Sequence, residues 1–227
     1  MPKGTYILSL IICAAVCGGM ESYMKETTKM IFKDLFTDYA ALSVIESEIM
    51  DAYEILTDCY SNEKKTLLCG NGGSAADCEH IVGEFMKGFR LKRPVAPESG
   101  LPCKLQVPLR SISLVSQTSL ITAVANDIGA EYIFAQQVLG YADEGDVLIA
   151  LSTSGNAGNI LQAVRTAKAL RCKTIALTGK SGGKLGCDGV CDCIIKLPAE
   201  ETYKVQEFTL PVYHALCAAV ENNFFEK

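Results

Sequence analysis

Tryptophan is absent from the 227 residues, and histidine occurs only twice, at His80 and His214. Chemistry that needs an imidazole, as a metal ligand or as a proton carrier near neutral pH, has only those two positions to draw on. A basic excess is also missing: Lys and Arg total 21 against 26 Asp and Glu, for a formal charge of −5. Surfaces that coat nucleic acid or bind anionic lipid need a positive field, so neither partner is expected. Paired C-x-x-C ligands are missing, although the chain carries 11 cysteines. Cys187, Cys191 and Cys193 come nearest, at spacings that suit no zinc knuckle. An odd count cannot pair off, and Cys69, Cys172, Cys193 and Cys217 lie in apolar patterns where a free thiol acts as a small hydrophobe. Reduced thiols and a reducing, cytoplasmic compartment are expected. What the chain does have is 49% apolar and 21% charged residues, the balance of a packed globular domain.

The N-terminal run Ile7–Gly19 is too short for a membrane span, which takes about 20 apolar residues. Its length and small-residue end resemble a secretory signal. The preferred reading is an upstream extension over residues 1–19, with initiation at Met20 or Met24 and one domain over 20–227. From Lys25 to about Ser61 there is neither Gly nor Pro, and Ile31, Leu35, Tyr39, Leu42, Ile45, Ile49, Tyr53 and Leu56 recur at spacings of three and four. That periodicity predicts two long amphipathic helices, broken near Leu42 and Ser43.

The rhythm then changes to short apolar runs at Thr66–Cys69, Ile112–Val115, Val147–Leu151, Thr174–Leu177 and Ile194–Leu197. Most are followed by Gly/Ser/Asn turns and a helical segment, which predicts an α/β fold with a parallel sheet buried on both faces. Four of the seven prolines (Pro94, Pro97, Pro102, Pro108) fall between Leu91 and Leu109. That stretch is expected to be an irregular surface flap.

Ligands of such sheets bind beyond the carboxyl ends of the strands, so the loops after the strands hold the candidates. The first strand runs into Gly70-Asn71-Gly72-Gly73-Ser74 and then a helix over 75–89. Glycines let the backbone approach an oxyanion, and Ser74 can cap the helix or donate its hydroxyl. A tight turn with an N-cap explains the same residues. The third strand runs into Ser152-Thr153-Ser154-Gly155-Asn156 and a helix over 160–170. Three hydroxyls beside the positive end of a helix dipole favour a phosphate site that uses no basic side chain. His80 has Glu84 four residues on, on the same helix face. His214 has Gln206 eight residues before it on a C-terminal helix predicted over 202–221.

These stretches, with Asn126-Asp127, Leu177-Thr178-Gly179-Lys180 and Gln206-Glu207 in matching order and spacing from about residue 24 onward, resemble the phosphoheptose isomerases of the SIS (sugar isomerase) superfamily. The resemblance implies a three-layer domain with a five-stranded parallel sheet, preceded by two N-terminal helices. It further implies a homotetramer with interface active sites and one zinc per site. By matched position the zinc ligands are His80, Glu84, Gln206 and His214. Substrate-binding residues are Asn71, Gly72, Gly73, Ser74, Glu84, Asn126, Asp127, Ser152, Thr153, Ser154 and Gln206. The implied reaction converts sedoheptulose 7-phosphate to a heptose 7-phosphate through an enediol, with Glu84 as carbon base and His214 as oxygen acid/base. Three departures stand out. Ala157 replaces a phosphate-binding serine, Tyr203 replaces an acidic residue, and the 91–109 flap is long.

Gln206 and His214 lie about 12 Å apart along a continuous helix, too far to share one cation easily, so one is expected to serve a neighbouring subunit. Two other readings compete. One is a non-catalytic adaptor like the relative that binds a replication initiator, which has no need of the acid/base and metal groups matched here. The other is a sugar-phosphate-sensing module attached to a DNA-binding appendage, for which the chain supplies no basic patch.

Overall fold

The computed structural model describes residues 24–226; the apolar run and Met20, one of the two alternative start sites, lie outside the described residues. Helix α1 covers Glu26–Asp38 and α2 covers Glu46–Ser61, joined by a 3₁₀ segment at Ala40–Ile45, close to the break expected at Leu42–Ser43. Phe32, Leu35, Leu42, Ile45, Ile49, Tyr53 and Leu56 are buried. Tyr39 leaves the predicted stripe and is exposed. It follows the end of α1 with φ −126° and ψ 63°, which ends the 3.6-residue phase there.

The remainder is an alternation of strands and helices. Strand β1 (Thr66–Gly70) leads to α3 (Gly73–Met86), and β2 (Ser111–Ser113) to α4 (Thr118–Asp127) and α5 (Ala135–Tyr141). Strand β3 (Val147–Leu151) leads to α6 (Gly158–Ala169), then β4 (Lys173–Thr178), β5 (Cys193–Lys196) and α7 (Thr202–Phe225). The strands form one parallel sheet in the order β2-β1-β3-β4-β5. Strand β2 is shorter and starts earlier than the expected 112–115 run. The Leu114 amide still donates to Leu68 O at 2.9 Å before the chain turns off the sheet.

Alternate residues of each strand enter different cores, as the pleat requires. Leu68, Val147, Ile149, Leu151, Ile175 and Leu177 pack with α1, α2, α3 and α7, while Leu67, Cys69, Leu148, Ala150 and Ala176 pack with α5 and α6. The result is the three-layer arrangement expected. Cys69, Cys172, Cys193 and Cys217 are buried, and the nine described cysteines are unpaired.

The 91–109 stretch is irregular apart from a 3₁₀ turn at Pro97–Ser99 and one antiparallel bridge between Pro94 and Gln106. It is not wholly a surface flap: Arg93 is 1% exposed and reaches under the domain. There Arg93 Nε donates to Glu221 Oε1 at 2.7 Å, and Nη1 and Nη2 donate to Phe85 O and Glu84 O at 2.8 and 3.3 Å. These carbonyls belong to the last turn of α3, so the arginine caps the helix three residues before the expected Phe89 end.

Candidate active site

In a sheet of this order the crevice opens where β1 and β3 lie side by side, because their connections leave in opposite directions. The loops after those two strands meet there. Asn71 Nδ2 donates to Asn159 Oδ1 at 3.0 Å, and Asn159 Nδ2 returns a bond to Asn71 Oδ1 at 2.8 Å. Asn159, in the first turn of α6, carries no sequence signal beyond its nearness to the hydroxyl loop. The turn into α3 is capped by Gly72 at φ 56°, not by Ser74, which lies inside the helix and is 6% exposed. The reason is backbone: positive φ is open to glycine, so the helix starts a residue ahead of the serine. A methyl group at Gly73 would fall 2.5 Å from Gln206 Nε2, so α7 crosses α3 at its first turn with Gln206 pressed on the glycine.

The hydroxyl loop follows β3. Ser152 is buried, Thr153 half-buried and Ser154 exposed, so the loop climbs from the core to the surface within three residues. Gly155 has φ 65°, and a side chain there would meet Gly182 O at 2.0 Å. The 178–184 segment braces the loop through Gly179 N donating to Thr153 O (2.8 Å) and Lys184 N donating to Asn156 Oδ1 (3.0 Å). Ala157, the N-cap of α6, offers no side-chain cap bond. Asn126 and Asp127 end α4, exposed and bonded to each other (2.7 Å); among the described residues no hydrogen bond draws them to either loop.

Both histidines meet, although 134 residues separate them. His80 Nε2 is 3.4 Å from His214 Nε2 and 3.3 Å from Glu84 Oε1, and the two imidazole centroids are 5.0 Å apart, nearly perpendicular. Lys87 Nζ holds the other Glu84 oxygen at 2.8 Å. The Phe89 ring covers His214 at 5.4 Å. Burial, and then the neighbouring His80, push the His214 pKa below the ordinary imidazole value. His214 is therefore largely neutral at pH 7, able both to accept and to release a proton. On the far side of His80, Tyr213 Oη lies 2.9 Å from Nδ1 and 3.4 Å from Asp77 Oδ1. Burial raises the Asp77 carboxyl pKa, and the Tyr213 hydroxyl acts against that rise. Tyr213 and Asp77 were not singled out from the sequence. Their adjacency to His214 and His80 is the sole trace there.

Zinc bound tetrahedrally at about 2.0–2.1 Å keeps its ligand atoms about 3.3–3.4 Å apart. Both His80 approaches have that length, and two imidazoles with a carboxylate are an ordinary zinc donor set. Among the described residues no group of three or more His, Cys, Asp or Glu side chains is placed to hold a metal ion; His80 meets Glu84 and His214 in two separate contacts. Gln206, on α7, has its side chain against Gly73 at the start of α3. By residue type the donor set suits zinc, while Gln206 lies about two helical turns from His214 on α7.

A family model described as "SIS domain" matches residues 39–179. The chain belongs to the SIS domain family, and within it resembles proteins named phosphoheptose isomerase. That of a Nitratiruptor species is 41% identical over 176 residues, spanning 78% of this chain and 86% of the relative. That of Aneurinibacillus thermoaerophilus is 38% identical over 209 residues, 91% and 96% of the two chains. The solved structure of a phosphoheptose isomerase from Francisella tularensis superposes with a TM-score of 0.71 at 30% identity, covering 87% of this chain and 97% of that one. The family resemblance drawn from the motifs is thus met by the chain as a whole.

Proposed function

We propose that this chain is a sugar-phosphate isomerase, an intramolecular oxidoreductase that interconverts sedoheptulose 7-phosphate and an aldoheptose 7-phosphate. The observation that carries the reading is the meeting of His80, Glu84 and His214 in a fold whose hydroxyl loop and glycine turn share one crevice. Ser152, Thr153, Ser154 and the α6 N-terminus take the phosphate, needing no lysine or arginine. Asn71, Gly72, Gly73, Ser74, Asn126, Asp127 and Gln206 border the sugar. Glu84 takes a proton from the carbon beside the carbonyl and returns it to the former carbonyl carbon. His214 moves the compensating proton between the two oxygens, so the enediol forms and collapses with no outside oxidant. His80, Glu84 and His214 are the residues that would hold zinc. Bound there, zinc supplies Lewis-acid stabilisation of the negative charge on the enediolate.

Within one chain Gln206 sits against Gly73, about two turns of α7 from His214. Its place as a fourth ligand therefore calls for a neighbouring subunit, in keeping with a homotetramer that has interface sites. We place the enzyme in the cytoplasm, in keeping with its unpaired thiols. No helix among the described residues is long and apolar enough to cross a membrane.

The test is a panel of ketose and aldose phosphates with five, six and seven carbons, assayed for interconversion with and without chelator. The seven-carbon pair is expected to turn over and chelator to suppress it. Failure of the zinc-supplied protein to convert any member would overturn the reading and return attention to a non-catalytic, protein-binding role.

A further inference from the structure

We infer that Asn159 is a positioning residue that ties the glycine turn after β1 to the hydroxyl loop after β3 and aims the Asn71 carboxamide at the sugar; the kinetic part of this rests on the isomerase reading above. Gly70 and Leu151 are paired in register, so the two chains leave the sheet side by side. Asn71 is the next residue on one, and Asn159 stands in the first turn of the helix that follows the other. Two hydrogen bonds close between these residues, 88 apart in the chain. Asn71 Nδ2 donates to Asn159 Oδ1 at 3.0 Å, and Asn159 Nδ2 donates to Asn71 Oδ1 at 2.8 Å.

The backbone sets the direction of the pair. Helix α6 begins at Gly158, so the Ile160 amide has no carbonyl of its own helix to bond, and it donates to Asn159 Oδ1 at 3.0 Å. A backbone N–H can only donate. Were the Asn159 carboxamide turned over, its NH₂ would oppose that N–H, so the oxygen is held toward Ile160 and the nitrogen toward Asn71. Asn71 is oriented in turn: reversed, it would set oxygen against oxygen and nitrogen against nitrogen across the tie. Both lone pairs of Asn159 Oδ1 are then taken, by Ile160 and by Asn71. Asn71 keeps one N–H and one lone pair beyond the tie. It is therefore the partner equipped to meet a sugar hydroxyl, and Asn159 acts through it. Because the tie aims the sugar end and leaves the phosphate hydroxyls alone, its loss falls on orientation at the reacting carbons.

The experiment is a double-mutant cycle of Asn159→Ala and Asn71→Ala in the full chain, read as kcat and KM for sedoheptulose 7-phosphate. Asn159→Ala removes two hydrogen bonds and is expected to lower kcat about tenfold with KM within about threefold of wild type. In the Asn71→Ala background the same substitution is expected to change kcat by less than about twofold. A merely structural role behaves differently: a weakened loop or helix start costs activity in either background and raises KM. Wild-type kinetics in Asn159→Ala, a raised KM with kcat kept, or an equal loss with and without Asn71 would overturn the inference. A second readout needs no turnover. The side-chain ¹⁵N–¹H signals of Asn71, identified by their absence in Asn71→Ala, are expected to shift when Asn159 is replaced, and unmoved signals would overturn the tie. Should wild type convert no sugar phosphate, the isomerase reading falls, and these signals alone decide for or against the tie. They decide equally if Asn71→Ala turns over too slowly to measure.

Discussion

Substituting Glu221 is expected to damage this protein more than substituting any single aliphatic side chain of its core. The carboxylate is fully buried and accepts four bonds: from the amides of Phe89, Arg90 and Leu91 at 2.8, 2.7 and 2.9 Å, and from Arg93 Nε at 2.7 Å. Arg93 in turn caps α3 and lies 4.7 Å over the Phe225 ring. Removing one member of a buried ion pair costs about 3–5 kcal/mol, because the other charge is left alone. In Arg93→Met the stranded Glu221 keeps three amide donors, which places that variant near the lower end. In Glu221→Leu the arginine is stranded and three partly buried amides lose their acceptor as well, so the cost reaches about 5 kcal/mol or more. With about 2–4 °C per kcal/mol for a chain of this size, melting should fall by about 6–12 °C for Arg93→Met and 10–20 °C for Glu221→Leu. Thermal and urea unfolding followed by circular dichroism measure both. The double apolar variant should remain below wild type, since the three amides still go unpaired. A Glu221→Leu protein that melts within about 2 °C of wild type, or one more stable than Arg93→Met, would refute this account.

Glu84→Gln and His214→Ala should each lower isomerase turnover by about 10²–10⁴-fold while the far-ultraviolet spectrum stays native, and a rate above about a tenth of wild type in either would remove that residue from its role. Gly155→Ala forces a side chain at φ 65° into Gly182 O. It should loosen the hydroxyl loop and raise KM for the sugar phosphate at least about tenfold, with about 1–2 kcal/mol of left-handed strain; an unchanged KM counts against that loop as the phosphate site. Burial holds the thiols of Cys59 and Cys193 up to about 12 and those of Cys172 and Cys191 up to about 11, against an ordinary 9.0. Between 9 and those values the unfolded chain sheds protons that the folded chain keeps, so this contribution is intact below pH 9 and lost as pH rises toward 12. Urea midpoints from pH 8 to 11 should fall accordingly, and a flat or rising series would contradict the buried placement. At pH 8 a thiol reagent should modify exposed Cys103 and Cys187 before the buried cysteines, which peptide mapping can read.

Much of the architecture was legible in the sequence because its signals are local. A stripe recurring every three or four residues predicts helices over 25–61, uninterrupted apolar runs predict buried parallel strands, and glycines with hydroxyls mark the turns that follow them. The limits of such signals show at Tyr39, where the helical phase ends early, and at Ser74, which lies inside the helix it was expected to cap. They show again at Arg93, whose burial nothing in a proline-rich stretch announces. What could be read of the site was its inventory: two histidines, a carboxylate one helical turn from the first, and two polar loops.

Their arrangement came from packing. Whether His80 meets His214 depends on how α3 lies across α7, a contact between residues 134 apart that no spacing rule encodes. The same crossing presses Gln206 on Gly73 and away from the histidines, and it inserts Tyr213 between His80 and Asp77. Backbone periodicity and turn chemistry act over a few residues, and so are written in the order of the amino acids. The relative pose of two helices is settled by the shapes of all the side chains between them, and so exists only once the chain has folded.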